Sequence, residues 1–482
     1  MPELGEIEAG RPTIRLRRLD LSVGAVDAEA AADWRRLVRR GAAPDIEIRA
    51  TVRGIVHDVR AGGSDAVRDA NRRYGGGLRR EGLRREGLRR EGLRREGLPG
   101  GQSGAPTPAG DLVIDGAALL RARDALDARI RSALETSIAN VRRFAETQRP
   151  PTTRTTIADG VEIERRWTPL ASVGAYVPGG SAPYPSSLVM TVVPARVAGV
   201  GTVVVATPAG PGGTIDPILL GAAGLLEVDA VLVAGGAQAI AALAFGLPDV
   251  GIGPVDRIVG PGNAWVTAAK IELAGEVGID LPAGPSEGMV LAGPTSDPVI
   301  IAADLITQAE HGPDSPAILV TTDGAFADAV ERAILAQLAE APRRAILELA
   351  LGVHGRIVLA ADLDAAIGLV NEYAPEHLSV DVEPLEETVT RLHSAGSIFV
   401  GRWAPESAGD YATGANHVLP TGGLARSTGP LSVEAFGRYS QVQRITREGL
   451  AGLRSAITTL AGAEGLAAHR AAVELRFRQE ET

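Results

Sequence analysis

The sequence predicts an α/β fold built on two parallel sheets, with helical segments before and after them. Between Ala171 and Gly284, short β-rich runs (AYVPG, VVVATP, AVLVAGG, RIVGPG and DLPAG) alternate with alanine-rich helical runs, and each ends in Gly or Pro. A second series follows, with MVLAG, PAILVTTD, GRIVLA and SIFV as strands and helices starting near Asp297, Ala325 and Leu363. Strands that are apolar on both faces and separated by helices belong in parallel sheets covered on both sides. Two Rossmann-like units are therefore expected.

Taken in order, Asp27 to about Tyr74 reads as helices, with arginines and acids spaced around apolar positions. GLRRE then occurs four times from Gly77 to Glu96, followed by a Gly-, Pro- and Ser-rich run to Gly110. A period of five advances about 140° per repeat on a helix, so Leu78, Leu83, Leu88 and Leu93 spiral around it and form no stripe. A glycine at every fifth position costs about 1 kcal/mol each against alanine. Residues 77–110 are accordingly expected to be a solvated, poorly ordered insertion, with a small basic arm for anions as the alternative. Helical periodicity returns from Leu112 to Thr147, with Leu119, Leu126, Ile130 and Leu134 in register, and Pro150-Pro151 ends it. The tail from Ser432 to Thr482 reads as helical and, lying well past the last strand, is free to pack on another subunit. The expected division is 1–172 as the helical part of a first α/β domain, 173–286 as a nucleotide-binding α/β domain, 287–431 as the remainder of the first, and 432–482 as the tail.

Composition narrows the function. A net charge of −10 disfavours a general polyanion surface, so nucleic acid is not the expected partner. The absence of cysteine removes disulfides, thiolate metal sites and any thiohemiacetal intermediate. Lys270 is the only lysine among 49 basic residues, which leaves one candidate for a Schiff base. Met1 to Leu21 has no apolar core and no small-residue cleavage site, so it is not read as a signal peptide and a cytoplasmic location is expected. Ala230 to Gly253 is apolar, but Gly235, Gly236 and Gln238 split it into a strand and a helix, which argues against a membrane span.

Ligands of open parallel sheets sit at the carboxyl ends of strands. Tyr176 to Ser187 (YVPGGSAPYPSS) and Gly260 to Asn263 (GPGN) occupy that position, although neither is a GxGxxG fingerprint and turn-making glycines explain them equally well. Gln308 and His311 in QAEH are three apart near a helix end, so they face one side and could share a metal; Gln is an uncommon zinc ligand, and the spacing alone leaves a surface or core role open. In APEH, Glu376 and His377 are adjacent after a proline and could supply two proton acceptors, or simply mark a helix start with an acid at its positive end. Trp403 to Pro420 is a polar, glycine-broken loop in which Asp410 and His417 are ligands, substrate contacts or ordinary turn residues. Glu464 and His469 are five apart and do not share one narrow helical face.

As a set, YVPGGSAPYPSSLVM, GGAQAIAALAFG, VGPGNAWVTAAK, LPAGPSE, LITQAEHGPDS, NEYAPEH and GSIFVGRWAPESAGDYATGANHVLPT closely resemble histidinol dehydrogenase, in this order and from about Ile14 onward. The resemblance implies a zinc- and NAD-dependent homodimer that oxidises L-histidinol to L-histidinal and then to L-histidine, in the last two steps of histidine biosynthesis. It implies one zinc per subunit, held by Gln308, His311, Asp410 and His469, and a C-terminal segment that crosses to the partner so that Glu464 and His469 complete the neighbour's site. Glu376 and His377 match the catalytic pair. Ser286, with Glu464, His377 and the metal ligands, would hold substrate, His417 is a weaker substrate-site candidate, and Tyr176, Gln238 and Asn263 match the NAD contacts. The repeat at 77–110 is the main departure and touches none of these motifs.

A hydride leaves a carbon only as its hydroxyl loses a proton, so the first oxidation needs a base, for which His377 is the choice. The second needs a hydrated aldehyde; without cysteine, water must add directly, and Glu376 is expected to activate it. Oxidation of other diols or amino alcohols, zinc-dependent hydrolysis and a non-catalytic zinc scaffold remain alternatives, the last two leaving the glycine-rich post-strand loops unexplained.

Overall fold

The computed structural model describes residues 14–22, 28–41, 43–77, 112–179, 183–210 and 212–480. The expected insertion at 77–110 lies, apart from Gly77, outside the described residues. The fold is α/β, with two six-stranded sheets and a three-stranded antiparallel sheet.

The first sheet runs in the order Val113–Asp115, Ala230–Val233, Thr202–Thr207, Ser172–Tyr176, Arg257–Val259 and Gly278–Ile279, parallel throughout except for Val113–Asp115. Alternation divides its side chains between two cores: Val203, Val205, Val231 and Val233 enter one, and Val204, Ala206 and Leu232 enter the other. Helix Pro185–Ala198 covers the first face and is buried nearly all round, which is why it reads as continuously apolar. The second sheet, wholly parallel, has the order Arg17–Asp20, Arg356–Leu359, Ala317–Thr321, Gly288–Ala292, His377–Asp381 and Ser397–Val400. Here Val290, Leu319 and Ile357 face one core, while Met289, Leu291, Ile318, Val320 and Val358 face the other.

Eight of the nine expected strands form. The exception is DLPAG, where the strand is Gly278–Ile279 and Asp280–Gly284 belong to the connection that follows. Helices begin where expected, with Asp297, Asp323 and Asp362 each accepting a backbone N–H as N-cap.

Four expectations need correction. The N-terminal part is not only helical: Arg17–Asp20 adds an edge strand to the second sheet, anchored by Leu16 and Leu19, each 1% exposed. Nor does most of it belong with residues 287–431. Helix Ile46–Tyr74 packs on Gly236–Phe245 and Ala264–Leu273, Gly116–Asp124 packs on Pro217–Leu225, and Ala128–Thr147 packs on Pro185–Ala198, because their apolar faces complete the cores of the first sheet. The tail is not wholly helical either. Gly437–Ile445 pairs along nine residues with Val161–Pro169, which pairs in turn with Thr153–Ala158, before helices Arg447–Ala463 and Ala467–Glu474 follow. Glu164, buried on the middle strand, is held there by Arg154, Arg166 and Arg444. Finally, Pro375 does not start a helix: helix Leu363–Tyr373 ends at Ala374 in the left-handed region (φ 55°), and His377 opens a strand.

The contact between Gly116–Asp124 and Pro217–Leu225 depends on Gly224, where a β-carbon would lie 2.2 Å from the Leu119 carbonyl oxygen. Gly224→Ala is expected to destabilise the protein by about 1–3 kcal/mol through overpacking, read as a lower midpoint in thermal unfolding.

Candidate active site and metal centre

The carboxyl edge of the second sheet gathers the candidate residues. Gln308 lies on the last turn of helix Pro298–Ala309 and is 2% exposed. It rests on strand Gly288–Ala292 at Gly288, where a β-carbon would come within 2.6 Å of the Gln308 side chain, so only glycine leaves it room. The chain then turns and sets the His311 ring Nδ1 3.3 Å from the Gln308 carbonyl oxygen. Gln308 Nε2 donates to Ser286 Oγ at 3.4 Å, which leaves its Oε1 pointing into the site without a partner.

Glu376 and His377 arrive by another route. The left-handed turn at Ala374 and the start of strand His377–Asp381 put both side chains inside, at 6% and 3% exposure. Glu376 Oε2 accepts from Ser286 Oγ at 2.8 Å and from the Glu287 backbone N–H at 2.9 Å. Glu287 is itself fixed by a 2.5 Å ion pair with Arg40, whose guanidinium stacks over the Tyr373 ring and donates to the Tyr373 carbonyl. The His377 ring lies 3.7 Å from Glu376, 3.9 Å from Glu406 and 3.9 Å from Asp410, and neither ring nitrogen has a hydrogen-bond partner.

The third contribution is the short helix Glu406–Tyr411 after Pro405. Four residues apart, Glu406 and Asp410 share a face. His311 lies 3.8 Å from Glu406 and 3.9 Å from Asp410, and ligand atoms of His311, Glu406 and Asp410 all fall within 4.8 Å of one another. His417 closes the cluster: its Nδ1 lies 3.1 Å from the Asp410 carbonyl, and its Nε2 lies 3.3 Å from Ser187 Oγ on the helix over the first sheet.

Burial shifts four groups in this cluster. Desolvation raises Glu376 well above the ordinary carboxylate range, opposed by the hydrogen bonds from Glu287 and Ser286. Desolvation likewise raises Glu406, reinforced by Asp410, Glu376 and Asp304. His377 moves the other way, to about 3, through desolvation and the neighbouring imidazoles of His311 and His417. Desolvation also lowers His417, against the pull of Asp410. A buried polar atom without a partner costs about 1–3 kcal/mol. Gln308 Oε1, both His377 nitrogens and Glu406 Oε1 are in that condition, His377 and Glu406 lying 3.9 Å apart, and these atom types are the donor set of a divalent cation or a polar ligand. An amide oxygen, imidazoles and carboxylates fit zinc, so the residues present fit the metal that the sequence implies.

The structure thus brings together Ser286, Gln308, His311, Glu376, His377 and Asp410. Glu464 and His469 are not with them: both are exposed, Glu464 as the cap after helix Arg447–Ala463 and His469 on helix Ala467–Glu474, and among the described residues neither side chain hydrogen-bonds or ion-pairs with a site residue of its own chain. Glu406 is the residue the sequence reading missed. Its spacing of four from Asp410 was the available signal, hidden because an acid after a proline reads as helix-start chemistry.

Tyr176, Gln238 and Asn263 lie at the carboxyl edge of the first sheet. Tyr176 ends its strand, and its hydroxyl accepts from the Gly236 N–H at 3.2 Å. Gln238 is buried on the first turn of helix Gly236–Phe245 and donates to Asn71. Asn263, exposed, caps helix Ala264–Leu273 by accepting from Trp265 and Val266. A β-carbon at Gly260 would lie 2.2 Å from the Tyr176 carbonyl, and one at Gly235 would lie 2.7 Å from Pro208 Cβ, so these loops close on one another as bare backbone. Glycine-rich loops that approach this closely at the carboxyl edge of a parallel sheet lie where such sheets take up ligands, and the residues present fit a dinucleotide.

Comparison with known proteins agrees with this architecture. A family model described as Histidinol dehydrogenase matches residues 105–477. The histidinol dehydrogenase of Halobacterium salinarum is 48% identical over 361 residues, covering 75% of this chain and 84% of that protein. That of Haloarcula marismortui is 48% identical over 358 residues, covering 74% and 84%. The crystal structure of histidinol dehydrogenase from Elizabethkingia anophelis superposes with a TM-score of 0.83 at 30% identity, covering 97% of this chain and 99% of that one. The chain belongs to the histidinol dehydrogenase family.

Proposed function

We propose that this oxidoreductase takes L-histidinol through L-histidinal to L-histidine, the last steps of histidine biosynthesis, as a cytoplasmic homodimer using one zinc ion per subunit and two NAD per turnover. The observation that carries the reading is the convergence of His311 and Asp410, from two separate segments, beside the buried pair Glu376 and His377, with the Gln308 side chain joined to Glu376 through Ser286. Zinc would be held by Gln308, His311, Asp410 and His469 of the partner subunit, and when bound it would orient the substrate's amine and imidazole nitrogens more than act as a Lewis acid. NAD, contacted by Tyr176, Gln238 and Asn263, would accept one hydride in each oxidation.

The chain's own groups handle the protons. His377 is neutral at pH 7 and has an unpartnered ring nitrogen, so it can take the hydroxyl proton as the hydride leaves. Burial makes it a weak base alone, and Glu376 or Glu406, at 3.7 and 3.9 Å, stabilises the imidazolium only while ionised. Glu376, raised by burial, is a stronger proton acceptor as carboxylate than an exposed glutamate. It takes a proton from the water that adds to the aldehyde, and the resulting hydrate then gives up the second hydride and a proton. Ser286 holds Glu376 in place and accepts from the Gln308 amide. With Glu464 and His469 exposed, delivery to the partner's site accounts for their family roles.

Glu376→Gln is expected to slow the aldehyde step by roughly 10² to 10⁴ and the alcohol step less, measured as NADH formation from histidinal and from histidinol; equal losses would refute the division of labour. In the wild type the aldehyde step should rise with pH through a value above the ordinary glutamate range of about 4.3, because the base must be unprotonated, and the variant should lose that dependence. His469→Ala chains mixed with Glu376→Gln chains should regain activity that neither has alone, since a mixed dimer regenerates one intact site. No recovery after verified subunit exchange would oppose a shared site.

A further inference from the structure

The chain's only lysine has no part in the chemistry above, yet it is among the largest fully buried side chains. Lys270 stands two turns into helix Ala264–Leu273, the helix capped by Asn263. Side chains lean toward the start of their helix, so Lys270 reaches back along it. Its Nζ donates to the Gly260 carbonyl at 2.5 Å and pairs with Asp280 at 2.7 Å, both side chains being 2% exposed. The other Asp280 oxygen accepts from the Gly260 backbone N–H at 2.7 Å, so the two charges grip both polar groups of one glycine. That glycine has φ 109°, with its α-carbon packed against the Tyr176 backbone.

A buried charge pair contributes little to stability unless its remaining hydrogen bonds are satisfied, and breaking one partner is costly. Here those bonds go to the first residue of the GPGN turn. An ammonium is a compact point charge and fits between a carbonyl and a carboxylate where the wider planar guanidinium would not, which gives a reason for lysine in a chain that otherwise uses arginine.

We infer that Lys270 and Asp280 form a positioning pair for the cofactor loop: they hold Gly260 against Tyr176 so that the GPGN turn and the cap of the following helix are pre-set to receive NAD. This rests on the NAD-dependent reading of the first sheet. The pair touches neither the metal cluster nor Glu376 and His377, so its loss should weaken NAD capture and spare histidinol and zinc. Pre-set loops bind more tightly because less ordering remains to be done on binding.

The test uses the full zinc-loaded enzyme. Lys270→Met is expected to raise KM for NAD at least tenfold, with KM for histidinol and bound zinc unchanged; Lys270→Arg, which keeps the charge but not its point geometry, should behave similarly. An unchanged KM for NAD, or equal increases for both substrates, would overturn the inference. If the variants do not fold, the wild type decides. Acylation of Lys270 by an amine-reactive reagent, followed by peptide mass mapping, should slow severalfold when NAD is added, since a bound cofactor would hold the loop closed over the amine. No slowing in an enzyme that turns over histidinol overturns the positioning role; a wild type that forms no NADH from histidinol overturns the dehydrogenase reading instead.

Discussion

Desolvation of an acid-rich imidazole cluster is the constraint on which this structure turns. Glu376, His377 and Glu406 are withdrawn almost completely from water at the carboxyl edge of one sheet, yet several of their lone pairs have no protein partner. Such groups are costly unless something else meets them, and the surrounding architecture works to keep them in place. Three chain segments supply the cluster: the end of helix Pro298–Ala309, the turn at Ala374 before strand His377–Asp381, and the short helix Glu406–Tyr411. Because parallel strands all present their carboxyl ends to one edge, segments distant in sequence can deliver side chains to a common point.

The supports are as informative as the cluster. Arg40, from the end of the first helical segment, fixes Glu287, whose backbone holds Glu376 on one side and accepts from the His377 N–H on the other. Ser187, over the first sheet, meets His417, and Asn416 beside it donates to the Met190 carbonyl. The two α/β units therefore meet through directed polar contacts beside the buried cluster. Asp280 opens the connection between the units that carries Ser286, and Gly284 within it donates to Thr421.

Much of this was legible in the residues, and the failures have physical causes. Strands such as VVVATP and PAILVTTD announce themselves because both faces are buried. Thr153–Ala158 is exposed at every position, so no burial pattern marks it, and Arg17–Asp20 has a single buried side chain, Leu19. His377–Asp381 was hidden because Pro375 suggests the start of a helix, whereas the turn is made by Ala374 in a conformation non-glycine residues rarely adopt. Spacing paired Gln308 with His311, but convergence with Asp410, a hundred residues away, is a property of topology that no local pattern carries. The roles assigned to Glu464 and His469 came from the family resemblance alone, since their spacing gives no common face.

The nine-residue ladder between Gly437–Ile445 and Val161–Pro169 turns the last stretch of the chain from a loose thread into a boom. Ordering about one residue costs roughly 1–2 kcal/mol, so a floppy tail would be a poor way to present a ligand to a neighbour. A segment splinted to a strand, and stiffened by Arg444 and Arg166 around the buried Glu164, has met that entropic cost during folding. Helices Arg447–Ala463 and Ala467–Glu474 therefore leave from an anchored strand, and where Glu464 and His469 stand on the surface is set when the body of the protein folds.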